Sequence, residues 1–179
     1  MSDLADGVGL YRLALAYRRS ADQLLDHLDN DHTKNYASIL PIQFLYSHAV
    51  ELLFKAFLRY KGFSENLIKH KYRHDIAKLY DECNKQGLAL SSVEHQSLLR
   101  LIPLLKDGHV EYQYRYFAKS FSTADPEWMC LDVGKLADAV GAEFEKQRQT
   151  AEQKAKEAGM GSVQIPIKML GFTIMGRND

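Results

Sequence analysis

The sequence predicts an all-α protein: an up-and-down helical bundle of about five helices over residues 1–159, followed by an extended C-terminal arm over residues 160–179. Three observations carry that expectation. Apolar residues recur at three- and four-residue intervals in successive stretches, the period of an amphipathic helix. Residues that start and stop helices stand between those stretches. One stretch, residues 47–59, is apolar almost all the way round except for a single polar line, as expected of the helix at the middle of a bundle.

The first helix is read from Leu10, Leu13, Tyr17, Ala21, Leu24, Leu25 and Leu28, with charged residues between them and an end near Asp29. Residues 30–40 are polar and turn-rich. Pro41 is placed in the first turn of the second helix, where a missing N–H costs nothing, and that helix runs to about Tyr60 and stops at Gly62. A basic loop, residues 69–74, precedes Asp75, whose carboxylate can cap the third helix; Ile76, Leu79, Tyr80 and Cys83 form its buried face, and Gly87 closes it. Ser91 and Glu94 have capping-box spacing and open the fourth helix, which Pro103 is expected to kink or shorten. From His109 to Phe121 the apolar period falls to two, which predicts an extended segment. Asp125 and Pro126 mark a turn, and Val133, Leu136, Ala137, Val140 and Phe144 rebuild a helical face. Residues 146–158 extend that fifth helix with little to bury, so it projects into solvent or reaches a second subunit. Val163, Ile165, Ile167, Leu170, Phe172 and Ile174 then alternate in the arm, which is expected to dock on a groove or sheet edge.

Composition narrows the function classes. Lysine plus arginine equals aspartate plus glutamate at 23 each, so no global field draws the chain to nucleic acid or anionic membrane, and any such binding needs a local patch. Cys83 and Cys130 stand far apart, outside any metal or redox spacing, which fits a reduced compartment. The acidic N-terminus lacks the pattern of a signal peptide, and no apolar run has bilayer length. A cytoplasmic location, no membrane and no cofactor are the expectations. There is no Gly-rich phosphate loop, Ser-His-Asp set or paired-carboxylate motif.

Three features carry candidate chemistry, each with a bland counterpart. Ser47, Glu51, Lys55 and Arg59, with His48 beside them, line up at four-residue spacing. They either face solvent as a favoured helical ion-pair row or line a groove, with Glu51 as organiser and Lys55 or Arg59 meeting phosphate. Lys69, Lys71 and Arg73, flanked by His70 and His74, form the one dense basic cluster, either a solvated loop or an anion site near a helix start. Tyr112, Tyr114 and Tyr116 with Arg115 either stack bases or pave a dimer interface. His48, Cys83, Trp128 and Cys130 read as core or boundary residues.

Taken in order, Glu51, Lys55 and Ala56 on the second helix, His74, Asp75 and Ile76 opening the third, and Arg115 and Tyr116 after the fourth resemble the HEPN (higher eukaryotes and prokaryotes nucleotide-binding) superfamily over roughly residues 10–145. The resemblance implies a helical bundle paired as a homodimer and acting on RNA or nucleotides, either as a metal-independent ribonuclease or as an accessory module. Catalytic members carry an Arg, four to six residues, then a His. Counting from Arg115, those places hold Ser120, Phe121 and Ser122, so the expected reading is a binding or regulatory module. A ribonuclease that recruits His74 or His109 and a bundle that only binds an unidentified protein are the alternatives. The candidate contacts are Glu51, Lys55, Arg59, Arg73, His74, Arg115 and Tyr116, with no metal.

Overall fold

The computed structural model describes residues 2–29, 36–110 and 124–157, and all regular elements among them are helical. They are α1 Ser2–Asp29, α2 Tyr36–Tyr60, the short α3 Glu65–Leu67 continuing into a π-helical turn Ile68–Tyr72, α4 Ile76–Lys85, α5 Ser92–Val110 and α6 Pro126–Glu157. The all-α bundle stands, and the short α3 makes the sixth helix, where the sequence predicted a loop. Arg115, Tyr116, the alternating stretch beyond Val110 and the arm at 160–179 lie outside the described residues. The chain divides into two compact units, residues 1–144 and 145–179.

Local chemistry sets most helix ends. Asp75 Oδ1 accepts from Lys78 N at 3.1 Å at the start of α4. Ser91 Oγ accepts from Glu94 N at 3.3 Å while Glu94 Oε2 accepts from Ser91 N at 2.7 Å, a complete capping box before α5. Asp125 Oδ1 accepts from Glu127 N at 2.8 Å, and Pro126 takes the first helical position of α6. Gly62 and Gly87 end α2 and α4 with φ of +88° and +77°, which only glycine adopts without strain.

The two helix prolines depart from expectation. α2 begins at Tyr36, so Pro41 falls in its second turn. Pro103 does not end α5, which continues to Val110, and His109 and Val110 are helical where an extended segment was predicted. Both prolines are exposed, and buried neighbours hold the helix on either side of them: Leu40 and Ile42 at the first, Leu101, Ile102 and Leu105 at the second. A lost hydrogen bond facing water is offset by that packing.

In the first unit α2 is the central helix, burying Ile42, Tyr46, Leu53, Phe54, Phe57 and Leu58. α1 packs along it largely by the predicted face, with Leu10, Tyr17, Ala21, Leu25 and Leu28 in or against the core. Tyr11, Ala14 and Ala21 face the core, while Leu13 and Leu24 remain 46% and 41% exposed. Small side chains let the two backbones approach; a Cβ on Gly7 would already stand 3.3 Å from Ala56 O and 3.4 Å from Tyr60 N. Tyr46 Oη donates to Asp22 Oδ1 at 2.7 Å, and burial together with that bond holds the phenol firmly protonated. Cys130 Sγ reaches the same oxygen at 3.4 Å, so α6 joins the pair. α6 is further tied to α1 by Tyr11 Oη donating to Ala137 O at 3.1 Å, with Gly141 against the Tyr11 ring. On the other side, Cys83 Sγ donates to Phe54 O at 3.5 Å, and Tyr80 Oη meets His95 Nδ1 at 2.8 Å, linking α2 to α4 and α4 to α5. Trp128, expected in the core or at its boundary, is 71% exposed, because α6 turns Met129, Val133, Leu136 and Val140 inward and the tryptophan lies about 100° away.

In the second unit, residues 145–157 are helical with charged side chains supplying local support. Arg148 bonds Glu145 and Glu152, three residues before it and four after. Such pairs support the helix locally.

Two outcomes follow. Gly141→Ala drives a methyl into Tyr11 Oη and should cost about 1–3 kcal/mol in urea unfolding, because the ring is buried and hydrogen-bonded. Glu94 is held below the usual carboxylate range chiefly by the Ser91 backbone N–H. Its contribution is therefore present above the unfolded value of about 4.3 and fades as pH falls through the lower folded value. Glu94→Ala should be less stable than wild type at pH 6, with the gap narrowing below about pH 4.

Candidate anion-binding cleft

The polar line of α2 does not face open solvent. Ser47, Glu51 and Arg59 are buried, and Lys55 is largely covered. Glu51, Lys55 and Arg59 look into a cleft of about 830 Å³ whose other walls are Gly9, Leu10 and Leu13 of α1 and Glu65, Ile68, Lys69, His70, Arg73 and His74 of the segment after α2.

Glu51 is the organising group. Its residue is 1% exposed, and Oε1 takes Lys55 Nζ at 2.5 Å and His74 Nδ1 at 2.9 Å. An ionised carboxylate only accepts, so Nδ1 of His74 carries the proton in this contact. The spacing follows from helix geometry: Lys55 sits one turn beyond Glu51, the favoured order for such a pair. His74 is brought in from 23 positions away, because Asp75 caps α4 immediately after it. Arg59, another turn along, donates from Nη1 to Phe63 O at 2.8 Å and so also fixes the turn that leaves α2. At the opposite end His48 stacks on Phe44, ring centroids 6.1 Å apart, and meets Tyr17 edge-on at 4.5 Å.

Four full cations, Lys55, Arg59, Lys69 and Arg73, stand against two carboxylates, Glu51 and Glu65, and three histidines complete the polar lining. Leu10, Leu13, Leu52 and Ile68 supply an apolar wall. In a chain of zero net charge this is a local positive patch with a dry side, able to hold an anion joined to a flat or apolar group. Of the basic loop, Lys69, His70, Arg73 and His74 line the cleft. Lys71 turns to α4, with Nζ 3.9 Å from Glu82 and 4.9 Å above the Tyr72 ring.

The structure thus brings together Glu51, Lys55, Arg59, Arg73 and His74 from the sequence-derived set, while Arg115 and Tyr116 lie outside the described residues. Sequence reasoning missed the α1 wall and Glu65. No pattern along the chain pointed to either, since Leu13 reads as one more residue of the buried row of the first helix. Among the described residues no cluster of three or more His, Cys, Asp or Glu side chains is placed to hold a metal ion, and no helix is long and apolar enough to cross a membrane. Comparison with protein-family models, with curated proteins and with solved structures gave no match.

The ion-pair core of the cleft can be tested by stability alone. Lys55→Met takes the ammonium from the buried Glu51 carboxylate, leaves it the His74 contact, and should cost about 3 kcal/mol. Adding Glu51→Leu removes the buried charge and should restore most of that loss in the same denaturant titration.

Proposed function

We propose that this protein is an RNA- or nucleotide-binding module of HEPN type that works as an accessory or regulatory component, with the cleft beside α2 as its phosphate site. The observation that carries the reading is the convergence of Lys55, Arg59, Lys69 and Arg73 around a buried Glu51 in a chain whose net charge is zero. Lys69 and Arg73 are exposed and offer the first phosphate contacts, and Glu51 holds Lys55 at a fixed position deeper in and orients the exposed His74. The apolar wall receives the base or sugar. Pairing as a homodimer belongs to the same reading through the family resemblance, and a cytoplasmic setting through the two unpaired cysteines.

A ribonuclease is the second reading, and one contact favours it. An imidazole held by a buried carboxylate inside a cationic cleft is also an acid–base arrangement, which would stand in for the histidine absent after Arg115.

Binding of a fluorescently labelled single-stranded 12-mer RNA, and of a labelled adenosine triphosphate analogue, read by anisotropy, tests the first reading. The double variant Lys69→Ala with Arg73→Ala should weaken RNA binding at least tenfold and reduce the salt slope by about 1.4, two single-strand phosphate contacts. Lys71→Ala, whose side chain faces α4, should leave binding unchanged. If neither ligand binds, the phosphate-site reading is lost and a protein-interaction bundle takes its place. Metal-free cleavage of the RNA that disappears in His74→Ala would instead establish the nuclease.

A further inference from the structure

The wall of the cleft between Ser64 and Asp75 is anchored at both ends and strained in the middle. Ser64 Oγ accepts from Leu67 N at 3.2 Å, and Asp75 Oδ1 caps α4, so each end is fixed to a helix start. Between them Ile68–Tyr72 winds as a π turn, a rare geometry that recurs at functional sites, closed by Arg73 N–H to Ile68 O at 3.1 Å. The chain then reverses through Tyr72, Arg73, His74 and Asp75, with Asp75 N–H donating to Tyr72 O at 2.9 Å. Arg73 occupies the first central position of that turn with φ of 49° and ψ of −110°. That combination is dominated by glycine, and Arg73 is the only non-glycine residue with positive φ among those described.

Such a conformation persists only where its surroundings impose it. The Arg73 side chain is exposed and imposes nothing. Ile68 and Tyr72, both buried, anchor the π turn before it, and the contact that follows it is His74 Nδ1 with Glu51 Oε1. We propose that residues 68–75 are a gate on the cleft with two positions, and that the His74–Glu51 bond latches the closed one against the backbone strain at Arg73. When the latch parts, Arg73 returns to negative φ, the turn relaxes, and Lys69, His70, Arg73 and His74 leave the cleft wall together. A discrete local element of this kind, pivoting on the buried Ile68 and Tyr72 and latched by one exposed imidazole, opens without unfolding the bundle. That the gate controls entry of a phosphate rests on the proposed function; that the gate exists does not.

Amide hydrogen exchange of the full chain at neutral pH, followed by mass spectrometry, reads the gate without a ligand. His74→Ala should speed exchange across 68–75 by about tenfold or more while the amides of α2 and α4 keep their rates. Arg73→Gly should slow exchange across the same residues by roughly tenfold, since glycine takes up the turn without strain. Unchanged rates in both variants, faster exchange in Arg73→Gly, or acceleration spread through α2 in His74→Ala would each overturn the gate. Adding the single-stranded 12-mer RNA to wild type should slow exchange in 68–75. If the two variants behave as stated and the RNA changes nothing, the gate stands and the phosphate reading falls.

Discussion

A carboxylate at the centre of an apolar helix is the constraint around which this structure is arranged. Glu51 sits on α2 with 1% of its surface exposed, so its charge has to be compensated from within the fold. Lys55 does part of this from the same helix, at no cost in topology. His74 adds a bond from beyond the π turn, and that brings the chain after α2 back over the polar line. The cleft is the space left by that return. Its cations come half from α2 and half from the basic returning segment, and α1 adds Leu10 and Leu13 to its apolar wall from the far side.

Around this centre the helices are joined by single polar ties set among close apolar contacts. Tyr46 to Asp22, Tyr11 to the Ala137 carbonyl, Gln43 to the Ala124 carbonyl at 2.6 Å and Cys83 to the Phe54 carbonyl each connect elements distant in sequence. Each satisfies a buried polar atom and at the same time sets the rotation of one helix on another, which apolar packing leaves loose. The glycines at 7 and 141 serve the same end by removing bulk where α1 meets α2 and α6.

Strain and charge meet in one place. Arg73 contributes a cation to the cleft and carries the unfavourable backbone angle, and its neighbour His74 supplies the bond that holds both. Rigid helices on either side confine any movement to the residues between the Ser64 and Asp75 caps. A bundle with a stable core can therefore keep a mobile basic wall without loss of overall stability.

The sequence by itself determined what depends on neighbours within one helical turn. The Ser91–Glu94 box, the Asp75 cap, the Gly62 and Gly87 stops and the Glu51–Lys55–Arg59 line are all legible because each interaction spans four residues or fewer. The all-α class follows from the same periodicity. Only the tertiary structure decided what faces that line. Leu13 and Leu24 of α1 were misplaced because a leucine outweighs Gly7 or Ala14 in any hydrophobic pattern, whereas close approach of backbones favours the small residues. Trp128 was misplaced by one position of helical rotation. The turn at Arg73 has no sequence mark at all, since no glycine stands where the backbone demands one. These outcomes are set by contacts between residues tens of positions apart, whose free energy is shared among several helices and leaves no pattern along the chain.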